Sequence, residues 1–305
     1  MSIALPKVEV VMRVAQSAGE SPLQANLRQF LRNRTAVGAA LIVLLVTVMA
    51  IAAPLIAPQD PYASDLLRRL QPPVWLEGGD WAYPLGCDAL GRDILSRIIY
   101  GARVSMFIGV AVILIAATVG MLLGLLAGYL RGITDIVIAR IVDVLLGFPY
   151  LIFAIGLMAA MGPGLGNIIL ALVIKEWVLP CRVVRAETLA AREMEYVEAA
   201  RALGASRSHI MTREILPNIL SPVIVVATFR MASIIIMEAS LSFLGLGVQP
   251  PIPSWGSMVA DGRAFLLDAW WVSTLPGVMI VILVLAINLA SQGLRDAFDP
   301  RLRTT

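Results

Sequence analysis

Long apolar blocks alternate with shorter polar ones along this chain. Ala36 to Ala57, AVGAALIVLLVTVMAIAAPLIA, is the first block. A helix needs about 20 mostly apolar residues to cross the hydrocarbon core of a bilayer. Val104 to Leu130, Asp135 to Met161, Ile219 to Leu246 and Trp271 to Leu289 meet that requirement as well. Gly166 to Val184 is a weaker block, interrupted by Lys175 and Glu176. The pattern predicts an all-α, polytopic integral membrane protein with six transmembrane helices and both ends on one side. It divides the chain into a tail (1–35), a first transmembrane helix (36–57), a polar loop (58–100), a five-helix core (101–292) and a second tail (293–305).

The polar blocks carry their own patterns. APQDPYASDLLRRLQPP is turn-rich and predicts irregular chain. DALGRDILSRIIYGARVSM predicts a separate amphipathic helix, with Ile94, Leu95, Ile98 and Ile99 on one face and Arg92, Asp93, Ser96 and Arg97 around it. Such a helix would lie at the interface before the chain turns into the second span. The prolines and tryptophans of GVQPPIPSWGSMVADGRAFLLDAWW predict a structured cap.

The most organised polar block is the loop 186–217. Tyr196, Ala199, Ala200 and Leu203 recur at i, i+3, i+4 and i+7 and predict one small apolar helix face, with Glu198 and Arg201 pointing roughly the other way. Gly204, followed by Ala205, ends that helix. A second short helix is predicted over Ser206 to Leu216, closed by Pro217. Two readings fit: a solvated loop with a charged face, or an element that inserts into a partner's groove.

Composition and charge set the frame. The 305 residues are 59% hydrophobic and only 15% charged, where soluble domains are nearer half apolar and a quarter charged. Basic residues give the orientation. With the N-terminus inside, 15 of the 24 Lys and Arg residues lie on the cytoplasmic side, the loop 186–217 among them, and six lie outside: Arg68, Arg69, Arg92, Arg97, Arg103 and Arg263. The 58–100 loop is then external. Cys87 and Cys181 fall on opposite sides, so no disulfide joins them and no metal spacing arises. No basic tract interleaves with aromatics, which argues against nucleic acid as a partner. A P-loop needs a lysine after a glycine. The two lysines are Lys7, after Pro6, and Lys175, after Ile174, so ATP has to be handled by another polypeptide.

Charges inside apolar blocks cost about 2.5–3.5 kcal/mol each on insertion scales and mark a cavity or a partner. Arg140 and Asp143 are spaced to pair on one helix face. Arg230 and Glu238 share a face of the fifth span, and Lys175 and Glu176 sit at comparable depth in the fourth. These last four either line a substrate path, meeting the charged termini of a peptide, or form an ion-pair set that holds the bundle. Gly120, Gly124 and Gly128 have the spacing of close helix packing.

Glu198-Ala199-Ala200, Gly204 and Ile215-Leu216-Pro217 resemble the EAA loop of ABC importer permeases. Glu214 occupies the position where that pattern has isoleucine. PLGCDALGRDILSRIIYGARVS, EASLSFLGLGVQPPIPSWGSM and GLRDAFDPRLR further resemble the C-type permease of the dipeptide, oligopeptide and nickel group, with Cys87 where threonine or valine is expected. The resemblance runs from about residue 36 to the end. It implies the type I ABC importer permease fold (MetI-like) in a bacterial cytoplasmic (inner) membrane, with both termini cytoplasmic. A homologous B-type permease, two cytoplasmic ATPase subunits, an external substrate-binding protein and membrane lipid are the implied partners. ATP and Mg would sit on the ATPase subunits; this chain would bind no cofactor and no metal and have no catalytic residue. The ATPase-coupling residues would be Tyr196, Glu198, Ala199, Ala200, Arg201, Leu203, Gly204, Ala205 and Pro217, with Glu198 and Arg201 making ionic contacts. Peptides are the expected cargo, beside nickel chelates, glutathione, opines or sugars. A secondary transporter would show a repeat between the halves, which is not evident. An intramembrane enzyme would carry HExxH or GxSxG, and neither is present. A purely structural subunit is the third alternative.

Overall fold

A computed structural model describes residues 22–298. Lys7 and Arg13 of the first tail, and Arg301 and Arg303 with the end of GLRDAFDPRLR, lie outside the described residues. The described residues are helical apart from their loops and one isolated antiparallel bridge between Cys87 and Asp93.

The chain enters through α1 (Pro22–Arg32) and α2 (Arg34–Ile51). Asn33 separates them, its side chain accepting from the Ala36 N–H at 3.2 Å. The block expected to run to Ala57 stops at Ile51, and a single helical turn, Ala53–Ile56, follows. Pro54 explains the break, because it withholds the N–H that would continue the ladder.

The largest departure from the sequence pattern lies in α3 (Ile94–Leu130). One helix of 37 residues replaces the expected interfacial helix and second span. At 1.5 Å per residue it is about 55 Å long. No proline interrupts it, and Gly101 lets it pass under Trp255: a Cβ there would stand 2.7 Å from the indole Cδ1. The Trp255 indole N–H donates to the Ile98 carbonyl at 2.9 Å and clamps the crossing.

The third block is broken. α4 (Gly132–Gly147) and α5 (Tyr150–Met161) meet at a bend of 93°. Pro149 dictates the place, since the residue before a proline is driven out of the helical region; Phe148 is extended, at φ −92° and ψ 134°. The fourth block also divides, into α6 (Leu165–Glu176) and α7 (Val178–Ala191). Pro180 cannot donate to the Glu176 carbonyl, so the ladder is interrupted at Trp177.

Beyond the short helix α8 (Glu195–Ala202), a continuous rod runs from Arg207 to Phe243; its long final part is α9 (Leu216–Phe243). Then follow α10 (Trp255–Gly262) and α11 (Trp271–Phe298). Among the described residues, four helices are long and apolar enough to cross a membrane: α2, α3, the 207–243 rod and α11. The bent pair α4 and α5 is a fifth if counted as one span. The expected six is not reached, because the block at 166–184 is divided at Trp177 into pieces of 12 and 14 residues.

Four apolar clusters hold the bundle. One joins α2, α3, α9, α10 and α11 around Trp255, Trp271, Ile98 and Leu283. A second joins α3, α5, α6 and α9 around Ile108, Met158, Leu172 and Ile234. The third gathers the ends of α3, α7 and α9 beneath α8, and the fourth packs α4 on α3 and α7.

The loop 186–217 and the buried charges

The loop is built on a fixed base. α7 lies along α3 over Gly120, Gly124 and Gly128. A Cβ at Gly120 would stand 2.5 Å from the Trp177 carbonyl oxygen, one at Gly124 2.5 Å from that of Cys181, and one at Gly128 2.7 Å from Thr188 Cβ. The three glycines therefore admit the backbone of the helix that leads into the loop. Polar ties follow at its end. Arg192 Nη1 donates to the Tyr129 carbonyl at 2.6 Å, Arg131 Nη2 lies 2.6 Å from Glu193 Oε1, and Arg185 grips Asp135 with two nitrogens at 2.5 and 2.7 Å.

α8 then turns on Gly204, whose φ of +79° is the left-handed conformation that glycine adopts without steric cost. The Ala205 N–H bonds the Ala200 carbonyl at 3.1 Å and the Gly204 N–H the Arg201 carbonyl at 3.0 Å. These two bonds form a Schellman cap, with Ala200 and Ala205 packed on the same cluster. Ser206 opens the next helix by accepting from the His209 N–H at 3.2 Å. Pro217 does not close that helix, contrary to the sequence pattern. A widened π turn, Ile210–Ile215, precedes it, with the Leu216 N–H reaching back to Met211. The extra residue in that turn draws the carbonyls away from the proline ring, and the helix continues to Phe243.

The face that packs inward is not the one the spacing picked. Val197, Ile210 and Ile215 are buried against Leu125, Tyr129, Val184 and Ile219. Ala200 is half-buried. Tyr196, Ala199 and Leu203 face outward; Tyr196 is 38% and Leu203 88% exposed. Glu198 and Arg201 are exposed too and make no ion pair among the described residues. The outer surface of α8 thus combines a small apolar stripe with free charges. One inward residue on a two-turn helix creates no period, so Val197 leaves no signal in the spacing.

The four charges singled out in the apolar blocks do not converge. Arg230 on α9 meets Glu176, the last residue of α6, through two bonds, Nε to Oε2 at 2.8 Å and Nη2 to Oε1 at 2.7 Å. The Glu176 side chain is enclosed, while that of Arg230 is 28% exposed. Lys175 points to the bend between α4 and α5, donates to the Phe148 carbonyl and lies 5.7 Å above the Tyr150 ring. Glu238 is fully buried, away from Arg230, and accepts from Ser105 Oγ at 3.0 Å and Ser242 Oγ at 2.8 Å. Arg140 and Asp143 do not pair with each other. α4 buries only Ile138 and Val142, which leaves both charges on its exposed side.

Comparison with known proteins matches this architecture. Residues 120–304 match the family described as binding-protein-dependent transport system inner membrane component, and residues 21–73 match the N-terminal TM domain of oligopeptide transport permease C. A di/tripeptide transport system permease protein, DppC, of Pseudomonas aeruginosa is 44% identical over 283 residues, 93% of each chain. The dipeptide permease protein DppC of Escherichia coli is 44% identical over 93% of this chain and 94% of its own. A glutathione transport system permease protein, GsiD, of Pectobacterium atrosepticum is 42% identical over 93% of each. Among solved structures, an inward-facing form of the MetNI methionine ABC transporter aligns with a TM-score of 0.53 at 20% identity, covering 67% of this chain and 97% of that one; the likeness is one of fold. The chain belongs to the family of binding-protein-dependent transport system inner membrane components and is a multi-pass permease subunit of an ABC importer.

Proposed function

We propose that this chain is the C-type half of a peptide importer's translocation pathway. It pairs with a homologous B-type permease, receives peptides from an external binding protein and is driven by two cytoplasmic ATPase subunits. The observation that carries the cargo is the 44% identity to permeases named for di- and tripeptides over nearly the whole chain. A second reading, glutathione, is supported by the relative at 42% identity. Uptake of dipeptides, tripeptides and glutathione into proteoliposomes holding the full transporter decides between them.

Coupling is assigned to the outward side of α8. Tyr196, Ala199 and Leu203 offer apolar area, Glu198 and Arg201 offer unpaired charge, and Gly204 with Ala200 and Ala205 fixes the bend. Pro217, behind the π turn, passes the movement directly into α9. The basic residues around the loop support a cytoplasmic placement for it, and for both termini. Of the four charges in the apolar blocks, Lys175 and Arg230 keep partial exposure and are the ones left to meet cargo. The deciding variant is Leu203→Asp in the assembled transporter. It loses ATP-driven uptake and ATPase association while the permease pair still forms; undiminished uptake overturns the assignment.

A further inference from the structure

The outer end of the bundle holds a cavity that the coupling loop does not use. It measures about 430 Å³ and lies between the segment around Asp88 to Arg97 and the turn after α9, with Ser257 and Asp261 of α10 also lining it. Four charged side chains run along it. Asp261 Oδ2 is 3.7 Å from Arg92 Nη2, Arg92 Nε is 2.7 Å from Asp88 Oδ2, and that same oxygen is 3.5 Å from Arg97 Nε.

These charges are unequally satisfied. Asp88 is saturated, accepting in addition from the Leu90 N–H at 2.8 Å and the Arg92 N–H at 3.0 Å. Arg97 is not. Its side chain is only 4% exposed, its one hydrogen bond among the described residues runs from Nη1 to the Pro61 carbonyl at 3.3 Å, and its buried Nε makes none there. A guanidinium carries five N–H donors, and burying them unused is costly. Asp261 is the opposite case: its side chain is 56% exposed and touches one cation at long range.

We propose that this cavity is a subsite for a small zwitterion, a peptide with free ends, whose carboxylate meets Arg97 and whose ammonium meets Asp261. The proposal rests on the peptide reading given above. The four side chains carry two positive and two negative charges, so a simple anion finds no net attraction. An acidic side chain from a docking protein would meet the exposed Asp261 carboxylate as well as the arginines and find no net attraction either. A molecule bearing both charges satisfies both ends. Phe243, Val248, Pro251 and Ile252 give apolar walls for its side chains, and a few hundred Å³ is the scale of a small-molecule site.

The test uses the assembled transporter without its binding protein, titrated calorimetrically with dialanine, dialanine amide, N-acetyl-dialanine and glutarate. Dialanine binds saturably, and blocking either end weakens binding tenfold or more. Arg97→Lys weakens dialanine by about tenfold and leaves the amide unchanged. Because Arg97 is buried and its replacement can cost folding, Asp261→Asn is the second variant; it abolishes the discrimination between dialanine and its N-acetyl form. Equal binding of free and blocked forms overturns the subsite. So does glutarate binding as tightly as dialanine, or an Asp261→Asn chain that keeps its preference. Dialanine uptake with the binding protein restored separates the two claims. Uptake without binding at the cavity removes the subsite alone, and no uptake removes the peptide reading.

Discussion

At the scale of single residues, the Glu176–Arg230 pair decides most. Glu176 is enclosed and its two oxygens take two guanidinium nitrogens, so either partner alone is a stranded charge. Breaking a buried pair from one side costs about 3–5 kcal/mol, whereas replacing both partners by apolar residues is often neutral. Arg230→Gln is therefore expected to lower thermal stability in detergent by that order, and Glu176→Met with Arg230→Met to regain most of it. If the double variant restores stability but not uptake, the pair serves transport as well as the bundle. A second residue-scale expectation concerns the outer loop. The Ala82 N–H at 3.0 Å and then Arg68 at 3.0 Å hold the Asp80 carboxyl below its usual range. A depressed folded value stabilises the loop above the unfolded carboxylate range and is lost as pH falls through the folded one. Trp81, 81% exposed beside it, should report that loosening as a fluorescence change on acidification, absent in Asp80→Asn. An ion-pair set among the charges of the apolar blocks was one of two readings open in the sequence; which two of the four would pair was not legible, because Glu176 and Arg230 are joined by the packing of two helices far apart in the chain.

At the scale of elements, the α3–α7 contact is the sharpest. Gly124→Val would drive a side chain into the Cys181 carbonyl and Val184. Overpacking of this kind costs about 1–3 kcal/mol. It should lower the melting temperature and ATP-coupled uptake together, while Gly38→Ala, with open space around it, leaves both unchanged. The spacing of these glycines was legible as close packing; their partner was not, since small residues do not name what approaches them. The break at Pro149 lies inside a block that the apolar pattern ran unbroken from Asp135 to Met161, because composition outweighs a single proline in such a block. A proline was misread where geometry offers relief, as at Pro217 behind its widened turn.

At the scale of the whole molecule, long apolar blocks made the helical membrane architecture readable. The number of spans was not, because composition cannot tell a bent pair from a straight helix. Sidedness is open to a direct check. Cys87 and Cys181 are both buried, and burial pushes the Cys87 thiol up to about 12, so the parent chain gives little background with a thiol reagent. Ser208→Cys and Leu67→Cys place exposed thiols on the loop 186–217 and on the 58–93 segment. In intact cells an impermeant maleimide should modify the Leu67→Cys chain and spare the Ser208→Cys chain until the membrane is opened.

The glycine contacts along α3 carry one more mechanical consequence. Each accepts a particular carbonyl or β-carbon of α7 at a separation that leaves no room for a methyl group. Displacing α7 along its axis by one residue, about 1.5 Å, would bring bulkier side chains of α3 against that backbone. The two helices are keyed along this seam, so a displacement of α7 is handed to the 120–128 stretch of α3 rather than lost in sliding.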